Sequence, residues 1–394
     1  MRERLEYALV WPWIKLLGLL PRPVARALAI GIGLAVYRLH TRLRQVGMRN
    51  LTLAFPAMSD AERRRILRGV FVSLGRQLAE ICLFPRYTRE NVSDIVVYDG
   101  LENYERAMAR GKGVLFLTGH LGAWELSAFA HSLQGHPLWI VMRPLDNPYL
   151  DRLVERYRTM HGNRTVSKDD FVRGLLAAMR ASEAVGILMD TNMTPPQGVF
   201  VDFFGTPACT ASGLARIALR TDAAVVPGFT IWDEKTQKYI LRFDPALELI
   251  RTAAAAAASS HQVGDDPAST GSHVSQTQSA PPQSCHPERS RSGPGSPDRA
   301  VVAGWGEGPG SPDRAVVAGW GEGPEGRDGK SKDPYPTEPD RTQADRAQAT
   351  EADIVANTAL FTSIIESYVR RYPDQWLWVH RRWKTRPEGE KPLY

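Results

Sequence analysis

"GVLFLTGHLGAWELSAFAHSL" (113–133) changes its hydrophobic rhythm part-way along. "GVLFLTG" (113–119) is a short continuous apolar run, the pattern of a strand buried on both faces. "WELSAFAHSL" (124–133) has the length and composition of a helix. Between them, Gly119 and Gly122 permit a sharp bend. A strand that passes into a helix through so short a turn is the repeating unit of an α/β sheet.

The flanking sequence repeats the alternation. "LWIVMRP" (138–144), "AVGILMD" (184–190) and "AAVVPGFTIW" (223–232) read as strands. "NPYLDRLVERYRTMHG" (147–162), "DFVRGLLAAMRAS" (170–182) and "CTASGLARIALRT" (209–221) read as helices, and "KYILRFDPALELI" (238–250) closes the sheet. Upstream, residues 60–83 place Ile66, Val70, Leu74 and Leu78 at a four-residue interval behind acidic Asp60 and Glu62, an amphipathic helix. The expected fold class is α/β: a single domain with a central mixed β-sheet and helices on both faces. Ligands of such sheets sit beyond the carboxyl ends of the strands, where His120 falls.

The ends of the chain differ in character. Residues 7–20 and 27–37 are apolar runs separated by "PRPVAR", and neither reaches the ~20 residues of a spanning helix. Arginines flank them, and Trp11 and Trp13 suit a headgroup region. Residues 1–45 are therefore expected to form a membrane-associated helical segment on a cytoplasmic leaflet; the other reading is two ordinary core helices. From 252 to 350 the chain turns Ala-, Ser-, Gly- and Pro-rich, and "GPGSPDRAVVAGWGE" occurs at 293–307 and again at 308–322. Such a composition cannot bury enough apolar surface to offset its ordering entropy. It is expected to be a disordered insertion between 46–251 and 351–394 of one domain. The net charge of +6 suits an anionic partner. Nucleic acid is not expected, for no zinc, RNP or helix-turn-helix signature accompanies the charge. Cys82, Cys209 and Cys285 show no metal-ligand spacing, so no metal is expected.

His120 and Glu125 are five positions apart, and chance alone gives about one such pair in a chain with 9 His and 43 acidic residues. A second pair, His261 and Asp266, falls in the low-complexity stretch with no strand before it. If His120 lies in the turn and Glu125 in the first turn of the helix, the carboxylate could fix the imidazole tautomer and leave the other nitrogen to take a proton from a hydroxyl. No G-x-S-x-G elbow offers an enzyme nucleophile. On context alone, this reading and that of a structural histidine stand level.

"TGHLGAWE", "VMRPLDNPYLDRLVERYR", "ILMDTNMTPPQGVFVDFFGTPACTASGLARIALRTDAAVVPGF" and "YPDQWLWVHRRWKTRPEGE" occur in that order. Together they resemble the late acyltransferases of lipid A biosynthesis, the lauroyl/myristoyl transferases within the lysophospholipid acyltransferase group. The resemblance implies that His120 is the general base and Glu125 its partner. It further implies acceptor or donor contacts at Arg143 and Arg164, a substrate contact or a helix cap at Asp190, and an acyl path along Phe203 and Phe204, for which ordinary core aromatics are the other reading. Arg381 and Arg382 would meet anionic lipid or the acidic acyl carrier protein, the implied acyl donor. Backbone N–H groups of Leu121, Gly122 and Ala123 would hold the oxyanion. The co-substrate is acyl-acyl carrier protein or acyl-CoA, the acceptor a lipid A precursor, and no cofactor is needed. The implied location is the cytoplasmic face of the inner membrane. A lysophospholipid or a mannosylated glycolipid is the alternative acceptor, and a non-catalytic basic binding protein the alternative class. Acyl length, the hydroxyl acylated and the oligomeric state stay open.

Overall fold

The computed structural model describes residues 1–167, 171–251 and 349–394. In chain order its helices are α1 (Arg2–Leu19), α2 (Arg22–Leu39), α3 (Thr41–Ala54), α4 (Asp60–Leu83), α5 (Arg89–Val92), α6 (Leu101–Met108), α7 (Trp124–Leu133), α8 (Pro148–Arg158), α9 (Phe171–Arg180), α10 (Gly213–Thr221) and α11 (Glu351–Arg371). Its strands are β1 (Val96–Asp99), β2 (Val114–Thr118), β3 (Leu138–Met142), β4 (Arg164–Ser167), β5 (Ala184–Leu188), β6 (Gly198–Phe203), β7 (Thr206–Ala211), β8 (Ala224–Asp233) and β9 (Lys238–Phe243). Capping boxes start two of the long helices. Ser59 and Glu62 exchange hydrogen bonds at the head of α4, and Thr350 and Asp353 do so at the head of α11.

Seven strands form one sheet in the order β1-β9-β8-β2-β5-β3-β4. β2 pairs in parallel with β5 and β8, and β3 in parallel with β5 and β4. β9 runs antiparallel to β8, which makes the sheet mixed as expected. Successive residues of a strand face opposite sides, so the sheet separates two cores. Leu115, Leu117, Val185 and Ile187 pack with Leu175 of α9 and with Phe361 and Ile365 of α11. Phe116, Leu138, Ile140 and Val226 pack with Leu126 and Phe129 of α7.

The N-terminal helices are part of this body. Ala25 and Ala29 are fully buried, and Arg22 of α2 forms an ion pair with the buried Glu80 of α4 at 2.8 Å. The opposite side is apolar and exposed, with Leu5, Leu9, Trp13, Leu19 and Leu28. Among the described residues no helix is long and apolar enough to cross a membrane.

Two local expectations are corrected, and two short strands are added. Residues 209–211 belong to β7, which pairs with β6 as an antiparallel hairpin, and the helix begins only at Gly213. Residues 244–250 leave the sheet after Phe243. β1 and β4, four residues each, had not been anticipated. The duplication, the His261–Asp266 pair and Cys285 lie outside the described residues. The chain departs and returns at neighbouring points: the Ile250 amide donates to Asn357 Oδ1 at 3.0 Å, and Asn357 Nδ2 donates to the Ile250 carbonyl at 2.8 Å.

Candidate active site

β2 and β5 are parallel and in register, with Thr118 opposite Leu188. His120 and Asp190 each lie two residues beyond those strand ends, so the ladder itself brings them together. Asp190 Oδ1 accepts a hydrogen bond from His120 Nδ1 at 2.8 Å, and Oδ2 accepts from the His120 amide at 2.7 Å. Oδ2 also accepts from Trp376 Nε1 at 2.7 Å. A side chain at Gly119 would place Cβ 2.9 Å from Asp190 Oδ2, so glycine is what lets the carboxylate approach. Burial pushes the Asp190 pKa up, but the His120 charge and the hydrogen bonds from His120 and Trp376 pull it down further, to about 2. An ionised carboxylate only accepts, so Nδ1 carries the proton and the tautomer of His120 is fixed.

Glu125 does not take that place. It lies in the first turn of α7, and its two oxygens receive the guanidinium fork of Arg158: Nε to Oε2 at 2.9 Å and Nη2 to Oε1 at 2.5 Å. Both side chains are buried. Burial pushes the Arg158 pKa down, but Glu125 raises it further, so the cation persists. The sequence reading gives no role to Arg158, at the C-terminal end of α8, and names Trp376 only as part of the C-terminal basic aromatic stretch.

The C-terminal segment clasps the histidine turn. The Leu377 amide donates to the His120 carbonyl at 3.0 Å, and the Gly122 amide donates to the Gln375 carbonyl at 2.9 Å. The Ala123 amide donates to the Thr230 carbonyl at 3.1 Å, and the Leu121 amide to the Gly119 carbonyl at 2.7 Å. All three amides expected to hold an oxyanion are thus engaged within the protein, a correction to that assignment.

A cavity of about 1000 Å³ is lined by His120 and by residues of α7, α9 and α10. Glu125, Arg143 and Arg158 line it together with Phe116, Ile140 and Phe243. Arg143 is half-exposed at the rim and pairs with Asp146 at 2.8 Å. His380 also lines the cavity; its Nε2 accepts from the Asn192 amide at 2.9 Å, and burial pushes its pKa down to about 3.

Other expected residues lie elsewhere. Arg164 is largely exposed, paired with Glu183 at 3.0 Å and lying over the Trp139 ring. Phe203 and Phe204 sit in the opposite core against Trp376, Trp383 and Trp378, so they do not line the cavity. Arg382 is completely buried, donating to the carbonyls of Thr191 and Cys209 and to Thr210 Oγ1. It ties strand β7 to the C-terminal segment and is not a surface contact. Arg381 lies over the Tyr394 ring at 5.7 Å.

The family model described as bacterial lipid A biosynthesis acyltransferase matches residues 2–266 and 340–385. A lipid A biosynthesis acyltransferase of Haemophilus influenzae is 26% identical over 60% of this chain and 74% of its own. A lipid A biosynthesis lauroyltransferase of Escherichia coli K12 is 30% identical over 56% of this chain and 73% of its own. A lipid A biosynthesis palmitoleoyltransferase of the same strain is 23% identical over 98% of this chain and 92% of its own. With a histidine held by a buried aspartate on the wall of an apolar cavity and a family match over most of its length, the chain belongs to the bacterial lipid A biosynthesis acyltransferase family and is an acyltransferase.

Proposed function

We propose that this protein transfers a fatty acyl chain from acyl carrier protein to a hydroxyl of a lipid A precursor, with His120 as general base and Asp190 as the group that orients it. The observation that carries the reading is the buried His120–Asp190–Trp376 relay, with His120 on the wall of the apolar cavity. With Nδ1 committed to Asp190, proton transfer runs through Nε2. Nε2 takes the proton of the acceptor hydroxyl, and the alkoxide oxygen attacks the thioester carbonyl. The tetrahedral intermediate collapses with loss of the C–S bond, and the imidazolium returns the proton to the departing thiolate. Asp190 stabilises the imidazolium between these steps. Arg158 lines the same cavity and offers a buried positive charge to the developing oxyanion; Glu125 fixes the guanidinium plane. The acyl chain occupies the cavity beneath α7. The scheme draws on no metal or cofactor. The exposed apolar side of α1 and α2, with Trp11, Trp13 and flanking arginines, supports a location at the cytoplasmic face of the inner membrane.

The test is product formation from a tetra-acylated precursor and acyl-acyl carrier protein or acyl-CoA, read by mass spectrometry, with wild type and His120→Ala. Removing the base is expected to lower turnover by about 10²–10⁴-fold. Equal rates would remove His120 from the mechanism, and transfer from the CoA thioester alone would replace the donor.

A further inference from the structure

His131 is the last residue of α7 to line the cavity. α7 presents Trp124, Ser127, Ala128 and His131 to it, the i, i+3, i+4, i+7 face of a helix. The two middle residues are small, and the last is large. His131 lies seven residues past Trp124, about 10 Å farther along the helix axis. Its ring is held from several sides. The Tyr98 hydroxyl is 3.1 Å from Nδ1, the His136 ring stacks on it at 4.9 Å, and Phe116 and Phe243 flank it at 5.6 and 5.3 Å. Only 1% of the residue is exposed. Burial, reinforced by His136, pushes its pKa down to about 3, so the ring is neutral and can face hydrocarbon.

Behind this ring lies a second cavity of about 370 Å³. Tyr98 and His136 line that cavity, and both touch His131, which lines the first. The partition between the two is the His131 ring with Tyr98 and His136 behind it. On the sheet side, space is left by Gly186, opposite both Phe116 and Ile140, where a Cβ would meet Leu138 Cδ1 at 3.3 Å.

We propose that His131, held by Tyr98 and backed by His136, is the end wall of the acyl tunnel and sets the length of the chain this enzyme transfers. The proposal rests on the reading of the main cavity as the acyl-chain site. A chain that outgrows the tunnel must leave methylene groups unburied or displace a packed ring. Each unburied methylene lowers binding about fourfold, so discrimination builds within two carbons to more than tenfold. Removing the imidazole extends the tunnel as far as Tyr98 and His136 and admits the longer chain.

The experiment measures kcat/KM for a series of saturated acyl-acyl carrier protein thioesters, with wild type, His131→Ala, His131→Val and Gly186→Val. Each protein is read as its ratio of longer to shorter chains. His131→Ala is expected to raise the ratio for chains two to four carbons beyond the wild-type optimum by about tenfold or more. His131→Val, which keeps more of the buried volume, is expected to shift it in the same direction, and carries the test if the alanine variant does not fold. Gly186→Val, which fills the tunnel, shifts the optimum to shorter chains. A shift with Gly186→Val but none with either His131 variant would overturn the wall and leave the tunnel standing. No shift with any variant would overturn the acyl-site reading itself.

Discussion

The two faces of the central sheet are built from alternate residues of the same strands, yet the side toward α11 is packed while the side toward α7 borders the cavity, which Ile187, Phe171 and Leu214 of the packed side reach only at its edge. Toward α9 and α11, Leu115, Leu117, Val185 and Ile187 interlock with Leu175, Phe361 and Ile365, all buried. Toward α7, the corresponding positions include Gly186 on β5 and Gly228 on β8, both lining the cavity. Ser127 and Ala128 are equally short on the facing helix. The hollow is thus made by side chains the sequence omits, not by a gap between domains. The filled face supplies the stability that lets the other stay open, since protein interiors otherwise pack to crystal-like density.

His120 stands where these faces meet the strand ends, and substituting its partner gives the largest expected effect. Asp190→Asn keeps the size of the side chain but offers an amide in place of a carboxylate, so the imidazole loses its fixed tautomer and its counter-charge. Turnover is expected to fall by about 10²–10⁴-fold with the protein still folded, as measured by single-turnover acyl transfer beside circular dichroism. A loss of only a few-fold would show that some other group orients the base.

That partner was legible in the sequence, but not by the local rule applied. His120 and Glu125 drew attention because they are close along the chain. The actual carboxylate is 70 residues away, brought near by two in-register parallel strands. "FLTGH" and "ILMD" each carry the polar residue just past an apolar run, and that shared position was the available signal. The strand–turn–helix of 113–133 was readable because its periodicity is local. The β6–β7 hairpin was not, because Phe204 and Gly205 make its turn at φ of 57° and 73°, without the Asn-Gly or Asp-Gly that usually marks such a reversal. Arg382 was misread for a related reason: a run of charge suggests a wetted surface, whereas Arg382 finds three buried oxygen acceptors from residues 191, 209 and 210.

The filled face should respond in stability and not in specificity. Phe361 on α11 is fully buried there. Phe361→Ala is expected to cost about 3–5 kcal/mol, through lost transfer energy and an unfilled void. Urea unfolding would measure it. The ratio of acyl-chain lengths transferred, taken at a temperature where the variant is folded, is expected to stay as in wild type. A changed ratio would mean that the two faces communicate through the strands, and the division drawn above would fail.

The smallest expected effect concerns the stretch between Arg251 and Ala349. Its flanks belong to the filled face: Leu247 and Leu249 pack against that core, and the Ile250–Asn357 pair of hydrogen bonds joins the two sides of the departure point. Neither flank lines the cavity. Composition argues that the stretch contributes no packed core. Replacing residues 253–348 by a twelve-residue Gly/Ser linker shortens the connection by about three halvings. Each halving returns about 0.6 kcal/mol of closure entropy, so stability should rise by no more than about 2 kcal/mol, with acyl transfer retained. Denaturant midpoints of the two proteins decide it. A large loss of stability would mean that the stretch packs against the filled face after all, and that the core of this enzyme extends beyond the sheet and its helices.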